Sequence, residues 1–426
     1  MSIYPLFKKH GSFQQGIRCS IRKMTSRKNP IPFLKRHFSN HRLLLMIILF
    51  IGIMKVGLLF SDGSMYKTDE GLYWNAIAAG TSLRWLDGDV YLSNLFDRYW
   101  HRPSYVAFYS FPALAQSLLH THNLNELNWL HFHKSFFHLT PQLTNICVSI
   151  LMLLGLYLLF RRLGESKKFS IVCILGYSAL FNANAYLRHL FPYDLALAFH
   201  IWSLVLALPP LHSHRPSVRA CLFSGVLAGL GFSSYQGYYL LVPVAALLLL
   251  FPFKRFPRRE AIFSFSFFSV IAFWEILSRF YATSFISQCL WLSRTVNLGD
   301  YKEGFIFMPE YLLVAEPLAG IVLLSGFAIG LCHGFKGTNL RGRVLLTSLL
   351  LAYMYYGVQV FFLKNTVFYA RLLHMYFPFL VYAAFLSLKL LKSRLIKQRV
   401  MLCIIAVLFI HFISWYVPYF RQEYPK

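Results

Sequence analysis

Acidic residues are scarce in this chain. Of 426 residues, 16 are Asp or Glu against 42 Lys or Arg, and no acid occurs before Asp62. Charged residues make up 14% of the chain, where a soluble domain carries about a quarter. That excludes an ordinary soluble globular protein. No glycine-rich phosphate loop follows a strand and no serine-centred elbow is present, which argues against a cytoplasmic nucleotide-sugar enzyme and against a serine hydrolase. The cysteines Cys19, Cys147, Cys173, Cys221, Cys289, Cys332 and Cys403 show neither metal-ligand spacing nor a disulfide framework, and they read as small core residues. No Asn-x-Ser/Thr sequon occurs, which points toward a bacterial inner membrane over the endoplasmic reticulum.

What the chain has is oil and positive charge. Hydrophobic residues reach 57% and the formal net charge is +26. The apolar residues come in continuous blocks of about 20, the length of a membrane-crossing helix. Continuous blocks without alternation predict helices and not barrel strands. The fold class expected is therefore an all-α polytopic membrane protein. The basic residues sit in short loops between blocks, such as Arg161, Arg162, Lys167 and Lys168, or Lys254, Arg255, Arg258 and Arg259. This is the pattern of cytoplasmic loops and not of a nucleic-acid surface.

Threading from a basic cytoplasmic tail, 1–42, predicts a first span at 43–60 and about eleven spans within a transmembrane domain 43–417. The range runs to about thirteen if 120–142 hides a return pass. Two external segments follow, 61–142 and 283–309, with a short external tail at 418–426. The first loop is expected to be helical. Residues 104–119, short and interrupted by Pro112, read as an interfacial or re-entrant helix. Most acids, from Asp62 to Glu310, fall outside in this threading.

Several polar groups gather on that outer face. "MYKTDEGLYWN" places Asp69 and Glu70 together. On a helix over 69–80 they diverge by about 100°, so they form no close dyad. One faces a site and the other supports it, or both simply start a helix. Arg102 in "DRYWHRPSY" suits a phosphate or an interfacial anchor, with Tyr105 close by. Arg188 and Asp194 share one outer turn and suit either a local pair or a functional charge. Gln236 lies in a polar hairpin, and Arg371 with His374 lies just inside an outer edge. Glu275 reads as the one acid deep in a span, paired with Arg279. His101, His120, His122, His131, His133 and His138 match no metal motif.

In this order, "DEGLY", "HRPSY", "RRLG", "YDLALAF", "GVLAGLGFSSYQG" and "ARLLHMYFPF" resemble the GT-C superfamily of membrane glycosyltransferases. The likeness is to protein O-mannosyltransferases and lipid A aminoarabinose transferases, and it covers roughly 43–391. Gln236 departs from the pattern, because a lysine often stands there. The resemblance implies inverting transfer of a hexose or pentose from a polyprenyl-phosphate donor to a glycan, lipid or protein acceptor at the periplasmic or lumenal face. It implies Asp69 as base with Glu70 beside it, and Arg102, Arg371 and Arg188 on the donor phosphate. Tyr73, Tyr105, Asp194 and Gln236 would bind substrate, and neither metal nor cofactor is called for. A lipid or oligosaccharide flippase, or a polysaccharide polymerase, is the alternative. On the glycosyltransferase reading, Asp69→Asn abolishes sugar transfer in membranes while the protein still accumulates, and Glu70→Gln is the milder change. Full activity in Asp69→Asn would remove it as the base.

Overall fold

In the computed structural model, the residues described are 30–59, 70–96, 102–119, 139–184, 190–210, 216–250, 257–295, 305–362 and 370–421. The chain divides into two units, Met1–Phe50 and Ile51–Lys426. From Pro30 on, the first unit is a single helix with Leu43, Leu45, Met46, Leu49 and Phe50 exposed.

The second unit is helical throughout its described residues. Its helices are the remainder of α1 (Pro30–Leu59), then α2 (Glu70–Arg84), α3 (Gly88–Leu95), α4 (Pro103–Leu119), α5 (Leu139–Arg162), α6 (Lys167–Ser178), α7 (Pro192–Ala207), α8 (Val218–Ser234) and α9 (Leu241–Leu250). They continue with α10 (Pro257–Phe280), α11 (Phe285–Thr295), α12 (Phe307–Ala315), α13 (Pro317–Cys332), α14 (Leu340–Phe361), α15 (Ala370–Leu373), α16 (Phe377–Leu386) and α17 (Arg394–Arg421). Short 3₁₀ turns stand at Phe181–Ala183 and Gln236–Tyr238.

Helix starts follow local chemistry. Ser166, Ser217 and Asn339 each accept from a backbone N–H three residues on, satisfying donors that the first turn leaves open. Pro192 and Pro317 open α7 and α13, where a missing N–H costs nothing. At the end of α5, Gly164 adopts φ +87°, with Glu165 N–H donating to Phe160 O and Gly164 N–H to Arg161 O. This paired bonding is the Schellman termination, and it needs the left-handed residue that glycine supplies.

Among the described residues, four helices are long and apolar enough to cross a membrane, in α5, α10, α14 and α17, and five shorter apolar helices accompany them. On α10, Phe265, Phe268, Phe273, Ile276 and Phe280 are exposed, as a lipid-facing helix presents itself. The apolar stretch 311–331 is broken in two at Glu316, between α12 and α13. Helix α6 is followed by the 3₁₀ turn at Phe181–Ala183. The segment 104–119 forms α4, packed against α2, α5 and α8 with Tyr105, Val106, Tyr109 and Ser110 buried. One of its faces therefore belongs to the protein interior. Cys173 and Cys221 are core residues as expected, whereas Cys147, Cys332 and Cys403 stand on exposed faces.

Helix α8 packs closely against α10. Gly225, Gly229 and Ser233 recur every fourth residue, so backbones approach closely, as small residues permit between helices in lipid. A Cβ on Gly225 would meet Phe263 O at 2.3 Å, and one on Gly229 would meet Val270 Cβ at 2.7 Å. Gly225→Leu is expected to cost about 1–3 kcal/mol or more through overpacking. The readout is a lower unfolding midpoint in detergent, with Gly88→Ala, which meets nothing within 4 Å, as the silent control. Equal midpoints would refute the close contact.

Candidate functional site

Arg102 caps α4, its carbonyl accepting from Val106 N–H at 3.1 Å. The next turn is pinned from two sides. Ser104 Oγ and Ser233 Oγ lie 2.6 Å apart, and Trp274 Nε1 donates to Ser104 Oγ at 2.9 Å. The Arg102 side chain is 7% exposed and its guanidinium sits 4.7 Å from the centre of the Tyr235 ring, a cation–π contact that holds it without neutralising it. Among the described residues, Arg102 Nη1 has no hydrogen-bond partner.

Tyr235 ends α8 and carries the contact onward. Its ring packs edge-on against Tyr193 and against Tyr238, each at 4.8 Å. Tyr193 precedes Asp194 in the first turn of α7, where the helix dipole favours a carboxylate. Asp194 is 1% exposed, and its Oδ1 is 2.9 Å from His374 Nε2. Its Oδ2 has no partner among the described residues. Gly237 brings the hairpin backbone against the chain before His374: a Cβ there would lie 2.6 Å from Leu372 Cδ2. Tyr356 OH holds the same hairpin through Gly237 O at 2.9 Å.

These turns thus bring together Arg102, Tyr105, Asp194 and Gln236, which the sequence singled out. Tyr105 is fully buried and its hydroxyl is committed to Leu190 O, so it fixes the approach to α7. Gln236 hydrogen-bonds Cys289, whose thiol burial pushes up to about 12; it is a neutral thiol at neutral pH. Asp69 and Arg188 lie outside the described residues, as do the side chains of Glu70, Tyr73 and Arg371. The backbone still locates Glu70. Helices α2 and α4 run alongside in the same direction, with Gly80 against Ser110 O and Leu114 N, and Arg84 Nη1 donating to Ser117 O. The start of α2 at Glu70 is therefore at the same end as the start of α4 at Arg102.

Sequence reasoning missed two buried charges behind this site. Lys55 is 2% exposed and donates to Ala183 O at 3.1 Å and Asn184 Oδ1 at 2.9 Å. Its signal was present: it is the one charge in the apolar run 43–60. Glu316, fully buried at the α12–α13 break, accepts from Phe181 N–H at 2.9 Å, Asn182 N–H at 2.8 Å and Asn182 Nδ2 at 2.7 Å, and pairs with His411 Nε2 at 2.7 Å. Tyr311 OH completes the set by donating to Asn182 Oδ1 at 2.7 Å. Glu275 is thus not the deepest acid. It does pair with Arg279, at 2.7 Å, and it also accepts from Ser284 Oγ and Ile286 N–H. Among the described residues no three His, Cys, Asp or Glu side chains converge as metal ligands.

The far ends of these helices carry the basic loops. Glu165, 2% exposed, meets Lys389 Nζ at 2.6 Å and accepts from Tyr382 OH at 2.9 Å. Arg162 and Arg341 donate to Leu208 O at 2.7 Å and to Pro209 O at 3.1 Å, past the C-terminus of α7. The site and the basic loops therefore occupy opposite ends of α7, α5 and α8.

No family model and no curated protein matches this chain. Among solved structures it is similar to an archaeal oligosaccharyltransferase, AglB from Archaeoglobus fulgidus, in complex with an inhibitory peptide and a dolichol-phosphate. The TM-score is 0.54 at 12% identity, over 91% of this chain and 57% of that one. The chain spans a little over half the length of that protein. The likeness is one of fold.

Replacing Glu316 by Ala leaves His411 and two backbone N–H groups buried without a partner. Removing one member of a buried pair typically costs about 3–5 kcal/mol. A marked fall in the detergent unfolding midpoint is expected for Glu316→Ala. A wild-type midpoint would show that the network carries no stability.

Proposed function

We propose that the protein is a GT-C-type membrane glycosyltransferase that moves a sugar from a polyprenyl-phosphate donor to an acceptor at the face opposite its basic loops. The observation that carries the reading is the buried Arg102 guanidinium. It is held by an aromatic ring with one nitrogen uncommitted among the described residues, at the same end as the buried carboxylate Asp194. A buried cation without an anion is costly, and a phosphate supplies one with matching geometry. The likeness in fold to an oligosaccharyltransferase in complex with a dolichol-phosphate supports the same ligand chemistry here. The buried charges Lys55, Asp194 and Glu316 also gather toward one end of the helices. A flippase would favour charges near the midplane.

In the reaction, the acceptor hydroxyl gives its proton to a carboxylate at the mouth of the site, for which Asp69 is the candidate and Glu70 its neighbour. The oxygen attacks the anomeric carbon from the face opposite the phosphate, so configuration inverts. The bond from that carbon to the phosphate oxygen breaks, and its electron pair leaves with the polyprenyl phosphate. Arg102, joined by Arg188 and Arg371, balances the charge that develops there. Arg102 stacks on Tyr235, next to Gln236, and so supplies a cation at the hairpin where the family pattern has a lysine. Asp194 orients the acceptor or the donor sugar through Oδ2, while Tyr73 and Tyr105 shape the pocket. The surrounding architecture would be about eleven spans in a bacterial inner membrane, with the site facing the periplasm.

Arg102→Ala is expected to weaken donor-lipid binding by about tenfold or more, the worth of a charge-assisted hydrogen bond, with little effect on the acceptor. Donor affinity equal to wild type would take Arg102 out of the phosphate site. Glycolipid mass spectrometry of a deletion strain tests the whole reading. One missing sugar is expected, and an unaltered glycan profile would overturn it.

A further inference from the structure

Among the described residues three carboxylates are buried: Glu165, Asp194 and Glu316. Two of them have both oxygens filled. Glu165 takes Tyr382 OH on Oε1 and Lys389 Nζ on Oε2. Glu316 takes Asn182 N–H and Nδ2 on Oε1, and Phe181 N–H and His411 Nε2 on Oε2. Asp194 differs. His374 Nε2 lies 2.9 Å from its Oδ1, and its Oδ2 has no partner among the described residues. The two histidine–carboxylate pairs are thus alike in contact and unlike in completeness. A buried acceptor without a donor is unfavourable, and native structures keep few of them without a functional reason. The Glu316 pair is complete and anchors a turn. The Asp194 pair leaves one oxygen for a ligand.

The imidazole is held where it can aim that oxygen. His374 and Asp194 are 0% and 1% exposed. An ionised carboxylate only accepts, so the His374 Nε2–H is the donor. His374 stands in the turn between α15 and α16. Its ring packs edge-on to Phe377 at 6.4 Å, and Phe377 stacks on Tyr311 at 6.3 Å. Tyr311 OH donates to Asn182 Oδ1, so this row of rings ends on the Glu316 network. The donor is therefore fixed from behind by α12 and the turn after α6. The terminal torsion of a free aspartate is broad. With Oδ1 held on a fixed N–H, the direction of Oδ2 is set.

We propose that His374 is a positioning residue of the transfer site: its Nε2–H holds Asp194 Oδ1 so that Oδ2 is presented to a hydroxyl of the bound sugar. A carboxylate takes such a hydroxyl in a charge-assisted hydrogen bond. The ligand is then divided between two groups, its phosphate on Arg102 and a sugar hydroxyl on Asp194. The inference rests on the reading of this end as a transfer site.

His374→Phe keeps a ring and removes the N–H, and His374→Gln keeps an N–H donor. Both are made in the full chain. Transfer is read by restoration of the missing glycan in the deletion strain, and the phosphate site by binding of undecaprenyl phosphate to the protein in detergent. His374→Phe is expected to cut transfer by about tenfold or more, the worth of a charge-assisted hydrogen bond, at wild-type affinity for undecaprenyl phosphate. His374→Gln is expected to recover most of the transfer. Wild-type transfer in His374→Phe overturns the proposal. So does an equal loss in both variants, or a loss of undecaprenyl phosphate binding like that of Arg102→Ala, because the residue then merely supports the whole site. If His374→Phe does not accumulate, His374→Gln decides: transfer near wild type supports the donor role, and transfer lost overturns it. The pairing has its own readout in unfolding midpoints. His374→Phe is expected to lower the midpoint of the wild-type chain and to change it little in an Asp194→Ala background, where the carboxylate is gone. Equal drops in the two backgrounds overturn the pairing. A deletion strain with an unaltered glycan profile sinks the transfer reading alone, since the midpoints still decide the pairing.

Discussion

A carboxylate removed from water must be fully hydrogen-bonded, and Glu316 meets that demand with two backbone N–H groups, an amide and an imidazole. Its partners come from the turn at Phe181–Ala183 and from α17, while Lys55 of α1 holds the other side of the same turn. The turn stands between α6 and α7, and α7 carries Asp194 in its first turn. Three helices distant in sequence are thereby tied to the element that presents the site. In a low-dielectric interior such a network is strong when complete and costly when broken.

Behind that anchorage the site is built from rings. Tyr193, Tyr235 and Tyr238 pack edge to face, a rigid arrangement with few side-chain torsions. It carries Arg102 on one side and leads to Asp194 on the other. The polar atoms left without a partner among the described residues, Arg102 Nη1 and Asp194 Oδ2, are of opposite sign.

Much of this was legible from the residues. Arg102, Tyr105, Asp194 and Gln236 were placed on one face by hydropathy and charge, and the described helices bring all four to one end. The helix expected over 69–80 is found from Glu70, and the pair Glu275–Arg279 forms as expected. Lys55 and Glu316 were passed over for one reason. In an apolar helix of a membrane protein, both the lipid face and the core face are apolar, so periodicity does not tell which side is inside. A single charge is then the only mark of the inner face, and on α1 that mark was Lys55. A local pair of Asp194 with Arg188, one of two readings, relied on nearness in sequence and lies outside the described residues, whereas His374, a partner that is described, is 180 residues away.

The sequence by itself pointed to an all-helical, apolar chain and to an expected sidedness, because both readings depend on composition and on where charges fall relative to apolar blocks. These are one-dimensional properties that lipid reads directly. Only the tertiary structure decided which charges are buried together: His374 with Asp194, His411 with Glu316, and Lys55 with the turn before α7. Those pairings depend on how helices rotate and pack. Packing is settled by close contacts such as Gly225 on Phe263, which no single segment contains.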